Sequence, residues 1–138
     1  MSFSTVAALI AAAIAATGFV LVAGFQVFLA LGASWGRAAW GGTHGVLPPG
    51  LRIASAAAAV VLIVAALVVL GRTGYWGATV PFGIFRWGTW VLVGAMALSA
   101  LDNFASSSGW ERFLMGPVAL LLALLCLVVA LGGEGTGR

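Results

Sequence analysis

From Val6 to Leu31 the chain carries no ionisable side chain. As a helix, a run of that length rises about 39 Å, more than the roughly 30 Å of a bilayer's hydrocarbon core. A segment so uniformly apolar needs either a large protein core around it or lipid. With 138 residues in all, the chain cannot supply that core. Three further apolar runs follow, at about Arg52–Leu70, Ile84–Phe104 and Phe113–Leu131. Only 7% of residues are charged, against about 25% in soluble domains. The expected fold class is therefore all-α. It is a polytopic membrane protein with four transmembrane helices in an up-down bundle of two hairpins, forming one domain over residues 1–138. Bilayer strands would alternate in polarity over about 10 residues, and none of these runs does.

The punctuation agrees with four spans. Gly41-Gly42 and Pro48-Pro49-Gly50 break the chain before the second run. Gly71, Gly74, Pro81 and Gly83 bracket a turn between the second and third. Ser108-Gly109-Trp110-Glu111 reads as a capping box for the fourth, with Ser108 as cap and Glu111 reaching back. Pro117 places any kink close to that helix start. The glycine-rich tail from Gly132 to Arg138 reads as a frayed end. The first run lacks an n-region charge and exceeds the 7–15 residues or so of a signal-peptide core, so it reads as a retained span. Residues 32–51 make a connection longer than the usual 2–8 residues or so between bundle helices. They read as an interfacial loop, with Ser34 to Trp40 able to form a short helix.

Tryptophans fall into two belts. Trp35, Trp40 and Trp110 belong to the first and third loops; Tyr75, Trp76, Trp87 and Trp90 surround the second. Arginines divide three and three between the two faces. The positive-inside rule is thus tied, and we place the termini inside as a working orientation. A net charge of +3 without a basic stripe gives no reason to expect a nucleic-acid partner. One cysteine and one histidine rule out a cysteine-based metal centre or bis-histidine haem in one chain. No cofactor and no metal are expected.

The polar residues converge on the face of the first and third loops. Asp102 closes the third span, where both the helix dipole and the apolar surroundings disfavour an acid. Arg52 has the mirror problem at the start of the second span. A pair between them would ease both penalties, with Arg37 and Arg112 as alternative partners. Gln26 lies about 8 Å inside the end of the first span, either as interhelical glue or as a ligand contact. Asn103 reads as a helix cap. His44 reads as a solvated loop side chain, with a proton-acceptor role beside an acid as the sharper alternative. Cys126 reads as a small packing residue. The series Ala8/Ala12/Ala16 and Ala95/Ser99 suit close helix contact. Candidate ligand-binding residues are Gln26, Trp35, Arg37, Trp40, His44, Arg52, Asp102, Asn103, Trp110 and Arg112; no catalytic residue is assigned.

Leu31-Gly-Ala-Ser-Trp35-Gly36-Arg37, followed by Leu47-Pro48-Pro49-Gly-Leu51-Arg52, resembles small four-helix bacterial membrane proteins of high-GC actinobacteria. In these an L-G-x-x-W-G motif ends the first helix and a Leu-Pro element precedes the second. Trp87/Trp90 and Asp102-Asn103 are broadly similar too. The resemblance implies a four-helix integral protein of the plasma membrane and no assigned activity. Arginine used without lysine also suits a high-GC genome.

Three function classes follow. The first is a non-enzymatic bundle that binds membrane lipid, a small amphipathic molecule or a partner membrane subunit through the polar cluster. Arginines beside tryptophans in that cluster suit a lipid headgroup or an anionic molecule. The second is a small transporter or channel working as a homo-oligomer and using Asp102, against which no span carries a mid-membrane charge. The third is a membrane enzyme on a lipid or isoprenoid substrate with Asp102 and His44 as acid and base. Three acids and one histidine leave it little to work with.

Overall fold

The computed structural model describes residues 2–75 and 81–133, with Phe82 described in its backbone alone. Trp76, Arg138 and the tail beyond Gly133 lie outside the described residues. Four long helices account for most of the chain: α1 (Phe3–Ala30), α2 (Pro49–Arg72), α3 (Phe82–Ala105) and α4 (Gly116–Gly132). A π-helical turn, Glu111–Met115, leads directly into α4. With that turn included, all four are long and apolar enough to cross a bilayer. The protein is an all-α, multi-pass membrane bundle.

The helices form a ring in which each packs on its neighbours in sequence and α4 closes back on α1. Among the four interfaces between ring neighbours, the hairpins α1/α2 and α3/α4 are the two largest and α2/α3 is the smallest. Side-chain size explains the closeness of the first hairpins. Ala8, Ala12 and Ala16 are buried on α1, along with Ala11, Ala15, Phe19 and Ala23. Small residues let backbones approach, which is how helices gain packing energy in lipid. At Gly132 a β-carbon would stand 2.6 Å from the Ser4 carbonyl oxygen. The Ala95/Ser99 pair does not belong to such a seam: Ala95 is exposed and Ser99 half-buried. Outward-facing positions such as Ile53, Val60, Val91 and Leu121 remain apolar and exposed, as lipid contact requires.

The end bearing the termini is tightly packed among the described residues. Gly71 falls inside α2 rather than in the turn, and the Phe85 ring occupies the space a side chain there would need. Gly88 receives Val68 in the same way. Arg72 is fully buried; its guanidinium donates to the Ala130 carbonyl at 3.0 Å and the Gly133 carbonyl at 3.2 Å. It satisfies carbonyls that the last turn of α4 cannot bond internally.

Candidate functional site

The opposite end is built differently. The first loop is not a short helix from Ser34 to Trp40. It is two 3₁₀ turns, Gly36–Ala38 and Trp40–Gly42, pinned on a small core of Leu29, Ala39 and Leu47. Glycine decides this. The Gly36 N–H donates to the Gly45 carbonyl at 2.7 Å, and a β-carbon there would lie 2.5 Å from the His44 carbonyl oxygen. Trp40, Gly41 and Gly42 then take successive left-handed conformations, with φ of 54°, 86° and 72°. Such a conformation is uncommon for a bulky residue such as Trp40 and costs on the order of 1–2 kcal/mol. Its indole N–H donates to the fully buried Ser55 hydroxyl at 2.9 Å, fixing the ring against α2.

This backbone path aims the Gly41 N–H at the Glu111 carboxylate, 2.9 Å away. The other Glu111 oxygen accepts from the Ser106 hydroxyl. Ser108 donates to the Arg37 carbonyl at 2.6 Å and also accepts a long bond from the Glu111 N–H, at 3.5 Å. Half of the expected capping box is therefore present. The reciprocal half is not: Glu111 turns away from Ser108 to clasp the first loop. Glu111 is buried, and two hydrogen bonds, the Gly41 N–H to the Glu111 carboxylate and the Ser108 hydroxyl to the Arg37 carbonyl, tie loop one to loop three. The sequence marks Glu111 as a helix cap, and nothing local marks a contact 70 residues away.

Beneath the clasp, between the four helices, lies a cavity of about 670 Å³. Val22 of α1, Leu62 of α2, Met96 of α3, and Val118 and Leu122 of α4 form its apolar walls. Leu62 stands 13 residues into α2, so the cavity reaches about 20 Å from the loop end, near mid-bilayer. Its upper collar is polar: Gln26, Trp40, Ser99, Asp102, Asn103, Ser106 and Glu111. The Gln26 side-chain oxygen is buried with no hydrogen-bond partner. Asn103 donates from its amide to the Ser99 carbonyl at 2.8 Å, while its own carbonyl accepts the Ser106 N–H at 3.2 Å. It thus closes α3 through its backbone.

Of the ten candidate residues, the cavity gathers Gln26, Trp40, Asp102 and Asn103. The others sit at the same end but elsewhere. Trp35 is exposed and stands edge-on to Phe28 of α1, centroids 5.7 Å apart. Arg37 and Trp110 flank a separate shallow cleft between loops one and three. His44 is exposed, its Nδ1 2.8 Å from the Thr43 hydroxyl, and it does not line the cavity with Asp102. The expected Asp102–Arg52 ion pair does not form. Arg52 instead donates from Nε to the Ala30 carbonyl at 2.8 Å, capping α1. The carbonyl at the end of α1, which the helix cannot bond internally, takes the guanidinium instead. Arg112 likewise donates to the Ser106 carbonyl at 2.9 Å. Both arginines do helix-capping work. Residues that sequence reading missed are Ser55, Ser106 and Glu111.

A multi-pass bundle, tightly packed at one end and with a cavity under a folded loop at the other, is thus the class that fold and site define. Among models of protein families, curated proteins and solved structures, none matches this chain.

Proposed function

We propose that the protein is a non-enzymatic membrane bundle that binds a small amphipathic or lipid-like molecule between its helices. The observation that carries this reading is the cavity: apolar from its floor to mid-bilayer, polar at the collar, with the Gln26 oxygen left without a partner. A buried amide without a hydrogen bond costs roughly 1–3 kcal/mol, and a ligand's polar end would remove that cost. The volume suits a small molecule, since ligand pockets run to about 300–1,000 Å³. Val61, which lines the cavity, is also well exposed on the outer surface of α2. That location, beside the smallest helix interface, gives a membrane-dissolved ligand a side entrance. We place the protein in a bacterial plasma membrane, following the high-GC residue usage and the motif resemblance, and keep both termini inside as the working orientation.

Native mass spectrometry of the gently solubilised protein, wild type beside Ala58→Phe, tests the reading. Ala58 lines the cavity from α2, so a phenyl ring there fills it. The expected result is a small molecule or lipid retained stoichiometrically by the wild type and lost from the variant. Equal retention by both, or none by either after reconstitution in native lipid extract, would overturn it.

A further inference from the structure

The cavity collar has a sign as well as a polarity. Two carboxyl groups line it, Asp102 and Glu111, and among the described residues no arginine, lysine or histidine does. Glu111 is satisfied by the Gly41 N–H and the Ser106 hydroxyl. Asp102 is not: among the described residues it has neither a hydrogen bond nor an ion pair. Two arginines of that end are committed elsewhere, Arg52 to the Ala30 carbonyl and Arg112 to the Ser106 carbonyl, and the exposed Arg37 lines the separate cleft rather than the cavity. Asp102 stands in the last turn of α3, where the helix dipole adds negative potential to its own charge. The unpartnered oxygen of Gln26 lines the same cavity and is another acceptor without a donor. Acceptors therefore predominate where the amphiphile's polar end would rest.

We propose that the cavity selects a cationic amphiphile, an ammonium group on an apolar body. The ammonium nitrogen lies at Asp102, with an N–H directed to the Gln26 oxygen, and the body fills the space between Leu62, Met96 and Leu122. This reverses the anionic preference expected from arginines beside tryptophans, because none of Arg37, Arg52 and Arg112 lines the cavity. The inference rests on the cavity being a binding site. The same chemistry has two sources, the ethanolamine headgroup of a membrane lipid and a free hydrophobic amine.

The test is a pair of probes with one chain and opposite heads, dodecylammonium and dodecanoate. Each is titrated against the full chain in phosphatidylcholine nanodiscs and corrected with empty nanodiscs. Dodecylammonium is expected to bind saturably and at least about tenfold more tightly, given the strength of an ion pair at reduced dielectric. Asp102→Asn, isosteric and at an exposed position, is expected to abolish that preference while leaving the helical signal intact. Added phosphatidylethanolamine that competes with dodecylammonium identifies a lipid headgroup as the source; absence of competition identifies a free amine. Equal binding of both probes, or an unchanged preference in Asp102→Asn, overturns the charge selectivity and leaves the cavity reading standing. If neither probe binds wild type and Ala58→Phe alters nothing, the cavity reading itself falls.

Discussion

Glu111 concentrates more of the loop architecture than any other side chain. Its carboxylate receives the Gly41 N–H and the Ser106 hydroxyl while buried. Hydrogen bonds to a charged group contribute about 1.5–3 kcal/mol each, and leaving their buried partners bare adds to the loss. Glu111→Ala is expected to lower stability by about 2–4 kcal/mol on that basis, with Glu111→Gln keeping part of it through its amide oxygen. Thermal unfolding in mild detergent reads the loss, and faster amide exchange at Gly41 locates it. Glycine gives a sharper contrast. Gly42 has φ +72°, and a β-carbon there would stand 2.5 Å from that of Ser108. Gly45, in the same loop, has open space around it. Gly42→Ala is expected to cost more than about 1 kcal/mol, from the left-handed backbone alone. Gly45→Ala should stay within about 0.5 kcal/mol. Equal effects in the same unfolding assay would contradict the loop geometry. At this scale the sequence was only half legible. Ser108 announced a helix start by a local rule, but the destination of the Glu111 carboxylate depends on where a distant loop folds. Trp40 and Ser55 met for the same reason, unseen in the sequence.

Elements were the most legible scale. Four apolar runs with few charges define four helices because lipid demands internal hydrogen bonding and tolerates few charges. The observed helices extend the apolar runs by a few residues at most of their ends. Extension past the apolar run is a matter of capping, which hydropathy does not see. Arg72 illustrates this, since it belongs to α2 yet completes the end of α4. Arg72→Leu is expected to leave carbonyls of Ala130 and Gly133 bare and to cost about 2–4 kcal/mol, with Arg72→Lys restoring only part because one ammonium lacks the planar fork. Stability of the two variants in a detergent denaturation series checks the order. Pro117 offers a second element-scale result. It lacks the N–H that would bond the Phe113 carbonyl, and the preceding turn is π-helical rather than simply kinked. Gly116 donates to the Glu111 carbonyl across that wider turn. Pro117→Ala restores a donor and is expected to convert the turn to α-helix, rotating Glu111 away from Gly41. Faster exchange at Gly41 together with an unchanged helical content would report it.

Across the whole molecule, the inside of the bundle was the least legible feature. In water, a helix marks its buried face by the 3.6-residue recurrence of apolar side chains. Here the outer face is apolar too, as exposed Val60, Val91 and Leu121 attest, so periodicity carries little signal. Only residue size survives as a marker: Ala8, Ala12 and Ala16 lie in the core, whereas the similar Ala95/Ser99 pair does not. The cavity was invisible for a related reason, because it forms where α2 and α3 part above their tight contacts at Gly71 and Gly88. Its polar members Gln26, Asp102 and Asn103 were visible as costly residues in apolar runs. The most direct check on a ligand cavity is photolabelling with an uncharged amphiphile carrying a diazirine mid-chain, in the intact protein in native lipid. Label is expected on Leu62, Met96 and Leu122, suppressed by excess unlabelled amphiphile and by Ala58→Phe. Label confined to outward-facing residues such as Val60, Val91 and Leu121, and indifferent to both competitor and variant, would contradict it.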